Sequence, residues 1–452
     1  MNTKTRSHQH LIQDWTDFNS SILHSISAEY YAKKGINAFD NSRASESIPN
    51  SVTNSYPHAF SLAKILKANL EAKPLGRKIR VLECGSGPGM FARHFLIAAQ
   101  ELGFLDELEF YLSDIASFSL LQIKEKGILT EFREGEHFHF ITLSLPDLNS
   151  AKDLSGNMID LSDLDLVIAN YVIDVLPSLP LRKKENGKFD KLQLKISDNR
   201  SIEEVNLVYD TAFLSSLDVR ERWVDYHLQG ASDLERKYFS VLESSASKYP
   251  VDAELIYNYF ALAVIDNLRS RLSSNGLFYM IDIPAKPEIS NQYYIVYGNS
   301  IANLINEQLL VYFARSLGSG VLIYKDHLFT RLLMTKSPET NPKLEEAFSN
   351  EFQKTNHMNL YHELIQLINI IKSPQSIEVL KFLVDKFQEI DGKSALSLTS
   401  QGFYHEAIRD YESALTFYKQ ARLIDFFNEC LLDTKITRLN NLLRPVTSFQ
   451  IV

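Results

Sequence analysis

The spacing of apolar and polar residues changes several times along the chain. Short apolar runs at 79–84, 108–114, 137–145 and 164–170 are separated by polar turns and, early on, by segments with helical spacing. This alternation predicts strands joined by helices and loops. Helical spacing also predicts helices over 88–102 and 253–272, and a later apolar run predicts a strand over 276–283. Strand and helix in this order with short links predict an α/β fold, a doubly wound, mostly parallel sheet with right-handed crossovers.

The segments before this region have a different character. Residues 8–33 carry apolar residues at helical spacing, and 57–70 predicts an amphipathic helix. Between them, the polar, Ser- and Asn-rich stretch 34–55 predicts an irregular loop. Such a loop beside a ligand-binding domain is either a lid or a solvated linker, and composition alone favours neither.

A glycine-rich string follows the first predicted strand. Residues 81–89 read VLECGSGPG, which predicts strand, tight turn and helix, with glycines at 85, 87 and 89. Glycine lets the main chain take unusual dihedrals and lets a ligand approach closely, and the helix that starts near Pro88 offers unpaired N–H groups to an anion or carboxylate. The spacing GxGxG differs from the GxGxxG of dinucleotide binders. A turn that binds nothing and a nucleotide site of another kind both remain open.

With Glu83 in front of the glycines, the string resembles the E/DxGxGxG signature of class I S-adenosylmethionine-dependent methyltransferases. In that family the acid orients the loop and the methionine end of the cofactor, and an acid that ends the next strand binds the ribose hydroxyls. Asp114 occupies that second position, 25 residues after Gly89. The resemblance implies S-adenosyl-L-methionine as the cofactor, bound by Glu83, Gly85, Gly87, Gly89 and Asp114. Asp147 follows the third strand at the same carboxyl edge, so we predict that it also binds the cofactor.

The fourth strand continues into LDLVIANYVIDVLP, residues 164–177. Asn170 and Asp174 lie four residues apart just past a buried strand, so both face one cavity if a helical turn starts there. We predict that both are catalytic and that Asn170 also contacts the cofactor. Alternatively, the asparagine only caps the turn and the aspartate is solvated.

The string NYVIDVLP resembles the NEFFDALP of the MidA family, known in animals as mitochondrial complex I assembly methyltransferases. Three further strings match that family in order: FYLSDIASFSLLQI, with Asp114 and Gln122 in its acidic and final positions; LRKKENGKFDKLQLKIS, similar to its β-hairpin; and GLFYMIDIP, similar to its GxxLxIDYG strand. The resemblance covers roughly residues 28–335. It departs at Tyr171, where the family has an acid, at Pro284, where the family has glycine, and in 34–55, which lacks the family's lid motif.

The family implies a protein arginine side chain as the methyl acceptor. The hypothesis is that the Asn170 carbonyl and the Asp174 carboxylate orient a nitrogen and absorb its developing positive charge, since an acidic pocket suits a guanidinium. One alternative is a small-molecule or O-methyltransferase on the same fold, because fold does not fix substrate. Another is a catalytically silent scaffold that binds S-adenosylmethionine and whose helical tail binds a protein partner.

We therefore divide the chain into N-terminal helices and a lid loop over 1–75, a methyltransferase domain over 76–335, and a helical domain over 336–452. Within the second part, an insertion at about 180–260 predicts a hairpin and then helices over the sheet's carboxyl edge, either a substrate lobe or a packing subdomain. Residues 395–418 resemble one tetratricopeptide repeat, with small and aromatic residues at its offsets. Flanking helices, including YHELIQLINIIK at 361–372, would complete such a module for a protein partner.

Bulk properties narrow the function further. The 452 residues exceed a single ordinary core, and 45% hydrophobic and 23% charged residues are typical of a soluble globular protein. A net charge of -9 argues against a nucleic-acid partner. With two cysteines, no apolar run long enough to span a bilayer and no metal-ligand spacing, we expect a cytoplasmic protein without a disulfide framework, a membrane span or a metal.

Overall fold

The computed structural model describes residues 10–39, 52–71, 76–145, 147–207, 209–210, 212–285, 292–326, 329–354, 375–391, 395–424 and 429–443. Most of the lid loop predicted at 34–55 and the helix predicted at 361–372 lie outside these ranges.

The strands, in chain order, are β1 His10–Asp17, β2 Ile79–Cys84, β3 Leu108–Asp114, β4 Phe138–Ser144, β5 Asp147–Asp153, β6 Leu164–Asn170, β7 Leu179–Lys183, β8 Phe189–Asp198, β9 Asp218–Asp225, β10 Glu254–Tyr257, β11 Leu272–Asp282, β12 Tyr294–Tyr297, β13 Ser300–Asn303, β14 Val321–Lys325 and β15 Thr330–Thr335. The helices up to residue 348 are α1 Ile22–Lys34, α2 Tyr56–Glu71, α3 Met90–Glu101, α4 Ser117–Glu125, α5 Phe213–Ser216, α6 Asp233–Ala246, α7 Tyr259–Arg271, α8 Glu307–Ser316 and α9 Pro342–Phe348.

An eight-stranded sheet forms the centre of the molecule, in the order β14-β15-β11-β6-β2-β3-β4-β5. The strands β11, β6, β2, β3 and β4 are parallel to one another, while β15, β14 and β5 pair antiparallel at the two edges. This confirms the predicted mostly parallel α/β sheet. From β2 the chain moves outward through β3 and β4, whereas β6 and β11 lie on its other side. The strand order therefore reverses between β2 and β6, where ligands of open α/β sheets bind.

Helices cover both faces of this sheet and bury two apolar cores. On one face α2, α3 and α9 contribute Leu62, Phe95 and Phe348 to a core that includes Ile168 of β6. On the other face α6, α7 and α8 contribute their own apolar stripes to a core built on β6 and β11. Because both faces are covered, β6 is apolar along almost its whole length and is buried up to Asn170.

The prediction of helix over 8–33 is wrong for its first half. Residues 10–17 form β1, which pairs antiparallel with β8 from Leu11 beside Ser197 to Asp17 beside Gln193. Pairing with a strand that lies about 180 residues away satisfies the backbone of β1, and helical spacing in the sequence carries no sign of that partner. The helix α1 starts only after Ser21, whose side chain accepts a hydrogen bond from the Leu23 N–H.

The insertion also differs from the prediction of a helical lobe after a hairpin. The hairpin is confirmed, since β7 and β8 pair antiparallel around a turn in which Gly187 has φ of 75°. The stretch predicted as helix from Trp223 onward begins instead inside β9, which pairs with β8 over its full length. A second, five-stranded antiparallel sheet results, made of β1, β8, β7 and β10 with β9 beside β8. Of the predicted helices, α6 is present.

The C-terminal part of the chain is helical where it is described, over Gln375–Asp391, Ala395–Ala407, Tyr411–Ile424 and Glu429–Leu443. The second and third of these helices pack closely at Gly402, where an added Cβ would lie 2.4 Å from the Tyr418 ring. Ala414, Tyr418 and Leu432 are part of a small core of their own. A repeat architecture for this part stays a prediction, as do the boundaries of the three predicted domains.

Candidate functional site

The glycine-rich loop lies where β2 ends and α3 begins, at the carboxyl edge of the sheet. Gly85, Gly87 and Gly89 all have positive φ, at 67°, 50° and 76°. Packing from both sides limits two of them further: an added Cβ would lie 3.0 Å from Val172 at Gly85 and 2.9 Å from Ile123 at Gly89. These positions therefore require glycine for conformation and for space. Since α3 starts at Met90, its free N–H groups lie at the end of this loop.

Two carboxyl groups flank the loop, as the sequence predicted. Glu83 is 2% exposed, and its Oε2 atom is buried without a hydrogen-bond partner. Burial, with the nearby charge of Asp114, raises the pKa of Glu83 well above its usual range. Burial likewise raises the pKa of Asp114 to about 6, although its Oδ1 accepts a hydrogen bond of 2.9 Å from the Ala116 N–H. A buried acceptor without a protein donor is a group that a ligand could satisfy.

Beside Asp114, two apolar side chains are exposed that the sequence analysis missed. Ile115 is 79% exposed and Phe118 is 47% exposed, in the segment where β3 leads into α4. Solvent-exposed apolar groups beside a buried acid form a surface that can contact a flat, apolar part of a ligand. The sequence signal for Ile115 is that an apolar residue directly follows an acid that ends a strand.

A short segment after α1 covers the loop. The 3₁₀ turn Gly35–Phe39 places the Phe39 ring against Gly87, where an added Cβ would lie 3.4 Å from the Phe39 Cζ atom. Tyr30, Tyr31 and Tyr297 cluster with Phe39. Within the loop predicted at 34–55, the residue Phe39 therefore lies over the glycine loop. The sequence indicated a loop here but not which residue of it reaches the glycines.

Asn170 and Asp174 both lie at the exit of β6, but they have different partners. The Oδ1 atom of Asn170 lies 3.2 Å from Nε2 of His58 on α2. Burial, followed by the nearby charge of Arg331, lowers the pKa of His58 to about 3, so its ring is neutral and donates to that carbonyl. The amide nitrogen of Asn170 is buried without a partner. The carbonyl proposed to orient the acceptor is thus engaged by His58, and the free group of Asn170 is a donor.

Asp174 is paired with a second carboxyl that the sequence analysis did not single out. Asp174 is 3% exposed and Asp282, at the end of β11, is fully buried. Burial raises the pKa of Asp174, and burial together with the Asp174 charge raises the pKa of Asp282 well above its usual range. We infer that Asp282 retains its proton near neutral pH while Asp174 is the member that ionises. An acid at the end of a long apolar strand was the available signal.

Aromatic hydroxyls and a hairpin complete this end of the sheet. The Tyr31 hydroxyl lies 2.9 Å from Ser300 Oγ, and the charges of Asp174 and Asp114 both contribute, after burial, to the raised pKa of Tyr31. The β12–β13 hairpin docks on the turn after β6, because the Asn303 N–H donates to the Asp174 carbonyl at 2.6 Å. Tyr31 is therefore near enough to both Asp114 and Asp174 for their charges to act on its hydroxyl.

Asp147 stands apart from these residues. It is exposed at the start of β5, and its Oδ1 accepts a hydrogen bond of 3.1 Å from the Asn149 N–H. Since β5 is two strands beyond β3, strand spacing places it roughly 10 Å from the β3 axis. Its assignment as a cofactor-binding residue stays a prediction.

Three further observations concern other kinds of site among the described residues. A surface depression of about 660 Å³ is lined by Lys67, Lys78 and Phe104, at the amino end of β2 and opposite the glycine loop. In the ranges that the structure describes, no group of three or more His, Cys, Asp or Glu side chains is arranged to hold a metal ion. No described helix is both long enough and apolar enough to cross a bilayer.

Comparison with known proteins supports the fold assignment. No protein-family model and no curated protein matches the chain. Among solved structures, a candidate methyl transferase from Burkholderia thailandensis, bound to S-adenosyl-homocysteine, matches with a TM-score of 0.50 and 13% identity over 73% of this chain and 90% of its own. A native crystal structure of an uncharacterised protein of the same superfamily, also from that organism, matches with a TM-score of 0.47 and 14% identity over the same shares of the two chains.

At this level of identity the first match shows a shared fold. The chain has an α/β, Rossmann-like fold of the kind found in that candidate methyl transferase.

Proposed function

We propose that this chain is an S-adenosylmethionine-dependent methyltransferase. The carrying observation is the loop itself: three glycines with positive φ, a buried Glu83 oxygen without a donor, and Asp114 at the end of the neighbouring strand. These residues fit the cofactor, because a nucleoside that carries an amino acid offers hydroxyl and ammonium donors to the two acids and a carboxylate to backbone N–H groups. Bound S-adenosyl-homocysteine in the protein of similar fold supports the same cofactor.

In this proposal Asp114 accepts hydrogen bonds from the ribose hydroxyls, and Ile115 covers one face of the base. Glu83 and the loop orient the amino-acid end. The free amide nitrogen of Asn170 donates to an acceptor atom of the ligand, since His58 already engages the Asn170 carbonyl. When bound, S-adenosylmethionine supplies a methyl group that its sulfonium sulfur already activates.

We propose a nitrogen nucleophile as the acceptor, and the MidA resemblance makes it an arginine side chain of a protein. In the transfer, the nitrogen would gain a bond to the methyl carbon as the bond from that carbon to sulfur breaks, leaving a neutral thioether. The nitrogen then gives up a proton, and in this proposal the Asp174 carboxylate takes it. Asp282, held protonated by burial beside Asp174, limits the pair to at most one negative charge near neutral pH. A pocket with one buried negative charge favours a cationic acceptor over a neutral hydroxyl.

The test is transfer of labelled methyl from S-adenosylmethionine to arginine-containing peptides and, separately, to small amines and alcohols. We expect label in the arginine peptides, and we expect Asp174→Asn to reduce the rate roughly a hundredfold or more while S-adenosyl-homocysteine still binds. Asp252→Asn changes an exposed aspartate outside the site and serves as the matched control, with unchanged transfer.

Three results would redirect the proposal. Equal transfer by wild type and Asp174→Asn would remove Asp174 from the catalytic role. Label found only in small alcohols or amines would favour the small-molecule alternative. Binding of S-adenosyl-homocysteine without transfer to any acceptor would favour a silent scaffold whose helical tail binds a partner.

A further inference from the structure

The helix α4 holds the segment Gly35–Phe39 by one side chain. Gln122 Oε1 accepts a hydrogen bond of 3.0 Å from the Ile36 N–H. At Gly35 an added Cβ would lie 2.1 Å from the same oxygen and 3.1 Å from the Phe118 ring, and the glycine has φ of 54°. Only glycine lets the chain pass so close to α4, so this crossing is a specific contact between two segments nearly 90 residues apart.

The same helix also packs against the glycine loop. Ile123, the next residue, limits the space at Gly89. The helix begins three residues after Asp114, and the Asp114 carboxylate accepts from the Ala116 N–H just before it. One short helix therefore contacts the acid, the glycine loop and the covering segment, so a displacement of the segment from Gln122 would uncover the loop that α4 also positions.

The covering segment has a second attachment on the other side of the site. Tyr31, one turn of α1 before Gly35, lies 2.9 Å from Ser300 of β13 through its hydroxyl. Its ring lies 6.1 Å from the Phe39 ring, centre to centre. Ser300, through Tyr31, and Gln122 thus both hold the N-terminal end of the segment, and the ring of its last residue, Phe39, rests on Gly87.

We propose that Gly35–Phe39 is a lid over the cofactor loop and that Gln122 is the positioning residue that keeps it closed. This rests on the proposed function, because the ligand beneath the lid is taken to be S-adenosylmethionine or its demethylated product. We call the hydrogen bond from the Ile36 N–H to Gln122 Oε1 the latch of this lid. A closed lid excludes water from the loop and slows ligand release, so loss of the latch raises the dissociation rate of the ligand more than it changes the association rate.

Two variants of Gln122 separate the latch from simple packing. Gln122→Met keeps the length of the side chain and removes the acceptor, whereas Gln122→Glu keeps an acceptor for the Ile36 N–H. We expect the Kd for S-adenosyl-homocysteine to rise roughly fivefold in Gln122→Met, the size of one lost hydrogen bond, mostly through a faster dissociation rate. Gln122→Glu should remain near wild type. The melting temperature without ligand should be the same in all three proteins.

An unchanged Kd in Gln122→Met would overturn the proposal. A rise in Kd that comes with an equal loss of ligand-free stability, or that Gln122→Glu fails to reverse, would also overturn it, since the residue would then have a structural role. Wild type that binds no S-adenosyl-homocysteine would instead contradict the proposed function.

Hydrogen exchange of the Ile36 amide in the complex with S-adenosyl-homocysteine tests the latch where the proposal requires it, because a bond that formed equally without ligand would contribute to ligand-free stability and not to the Kd. We expect this amide to be protected in wild type and in Gln122→Glu, and to exchange roughly fivefold faster in Gln122→Met. If it exchanges in wild type as fast as a free amide, or equally fast in all three proteins, the lid is not latched by Gln122.

Discussion

Asp114 is a carboxyl group whose burial disfavours its charged form, and we propose that it also binds the ligand. It ends the buried strand β3, and burial raises its pKa to about 6. The ionised form is the one that accepts hydrogen bonds from two hydroxyl groups. If Asp114 binds the ligand as we propose, its protonation state links pH to ligand affinity.

We predict that affinity for S-adenosyl-homocysteine falls as the pH is lowered through about 6. At pH 5 only about one molecule in ten would carry an ionised Asp114, which weakens binding by about tenfold relative to pH 8. Binding isotherms at pH 5, 6, 7 and 8 measure this directly. Asp114→Asn should bind weakly at every pH and lose the inflection; an inflection that persists in that variant would assign the dependence to another group.

Asp282 is expected to reduce the stability of the ligand-free protein. Its folded pKa is raised, so its contribution to stability is fully present below the unfolded pKa, near pH 4, and declines as the pH rises through its folded pKa. The free energy of unfolding in Asp282→Asn should therefore exceed that of wild type by roughly 1–2 kcal/mol at pH 7. Urea unfolding at pH 4 and pH 7 would show whether the difference vanishes at the lower pH, as this account requires.

The same variant separates stability from activity. If Asp282 tunes Asp174, Asp282→Asn should shift the pH dependence of methyl transfer while S-adenosyl-homocysteine still binds. A variant that is less stable than wild type at pH 7 would show that Asp282 is instead satisfied in the folded state.

The sequence predicted the site residues that follow directly from their place at the end of a strand. It did not predict the residues that reach the site from distant parts of the chain. Glu83 and Asp114 end apolar strands beside a glycine loop, so their place at one edge followed from strand order. The partners His58 for Asn170 and Asp282 for Asp174 are each about 110 residues away along the chain. Nothing in the local pattern of either residue indicates which helix or strand will pack against it.

At the scale of elements, the turn between β2 and α3 can be tested by a matched pair of glycines. Gly87 and Gly103 both have positive φ, but an added Cβ would meet the Phe39 ring at 3.4 Å at Gly87 and nothing within 4 Å at Gly103. Replacing either by alanine should cost roughly 1 kcal/mol of stability because of the left-handed backbone.

Only Gly87→Ala should weaken S-adenosyl-homocysteine binding, by tenfold or more as an order of magnitude, since its Cβ would occupy the gap between the loop and the lid. Thermal unfolding and ligand titration of both variants provide the comparison. If Gly87→Ala and Gly103→Ala bind S-adenosyl-homocysteine equally well, the ligand does not bind at the glycine loop.

The elements that sequence predicted well are the buried ones. The strands β2 and β3 match their predicted bounds, and β6 lies in the stretch 164–177 predicted to hold the fourth strand, because covering both faces of a parallel sheet leaves long apolar runs. The strands β1 and β10 and the last three residues of β9 were predicted as helix, and all three strands lie at edges of the second sheet. Edge strands have one half-exposed face, so their spacing does not exclude helix, and tertiary pairing decides.

At the scale of the whole molecule, separate parts of the chain meet at the carboxyl edge of the central sheet. The lid comes from before the glycine loop, and the β12–β13 hairpin comes from after β11. Tyr31 of α1, the helix that leads into the lid, contacts Ser300 of the hairpin near Asp114 and Asp174. The sequence predicted that ligands bind at this edge, but the contact between α1 and the hairpin joins residues about 270 apart along the chain.

The helical tail contributes to the core on the side of α9. There the π-helical turn 349–354 places Phe352 against Tyr279 of β11, with ring centres 5.8 Å apart. His58, which engages Asn170, also contacts Phe352. The start of the tail thus lies behind the site, whereas a protein partner for the later helices remains a proposal.

The central claim is that the glycine loop between Glu83 and Asp114 binds S-adenosylmethionine. Calorimetric titration of the wild-type chain with S-adenosyl-homocysteine at pH 7.5 and at two temperatures tests it most directly, because a binding enthalpy that is zero at one temperature differs from zero at the other. We predict saturable binding of one ligand per chain with a micromolar Kd, lost in Asp114→Ala. No heat at either temperature with millimolar ligand, or equal binding by Asp114→Ala, would contradict the account.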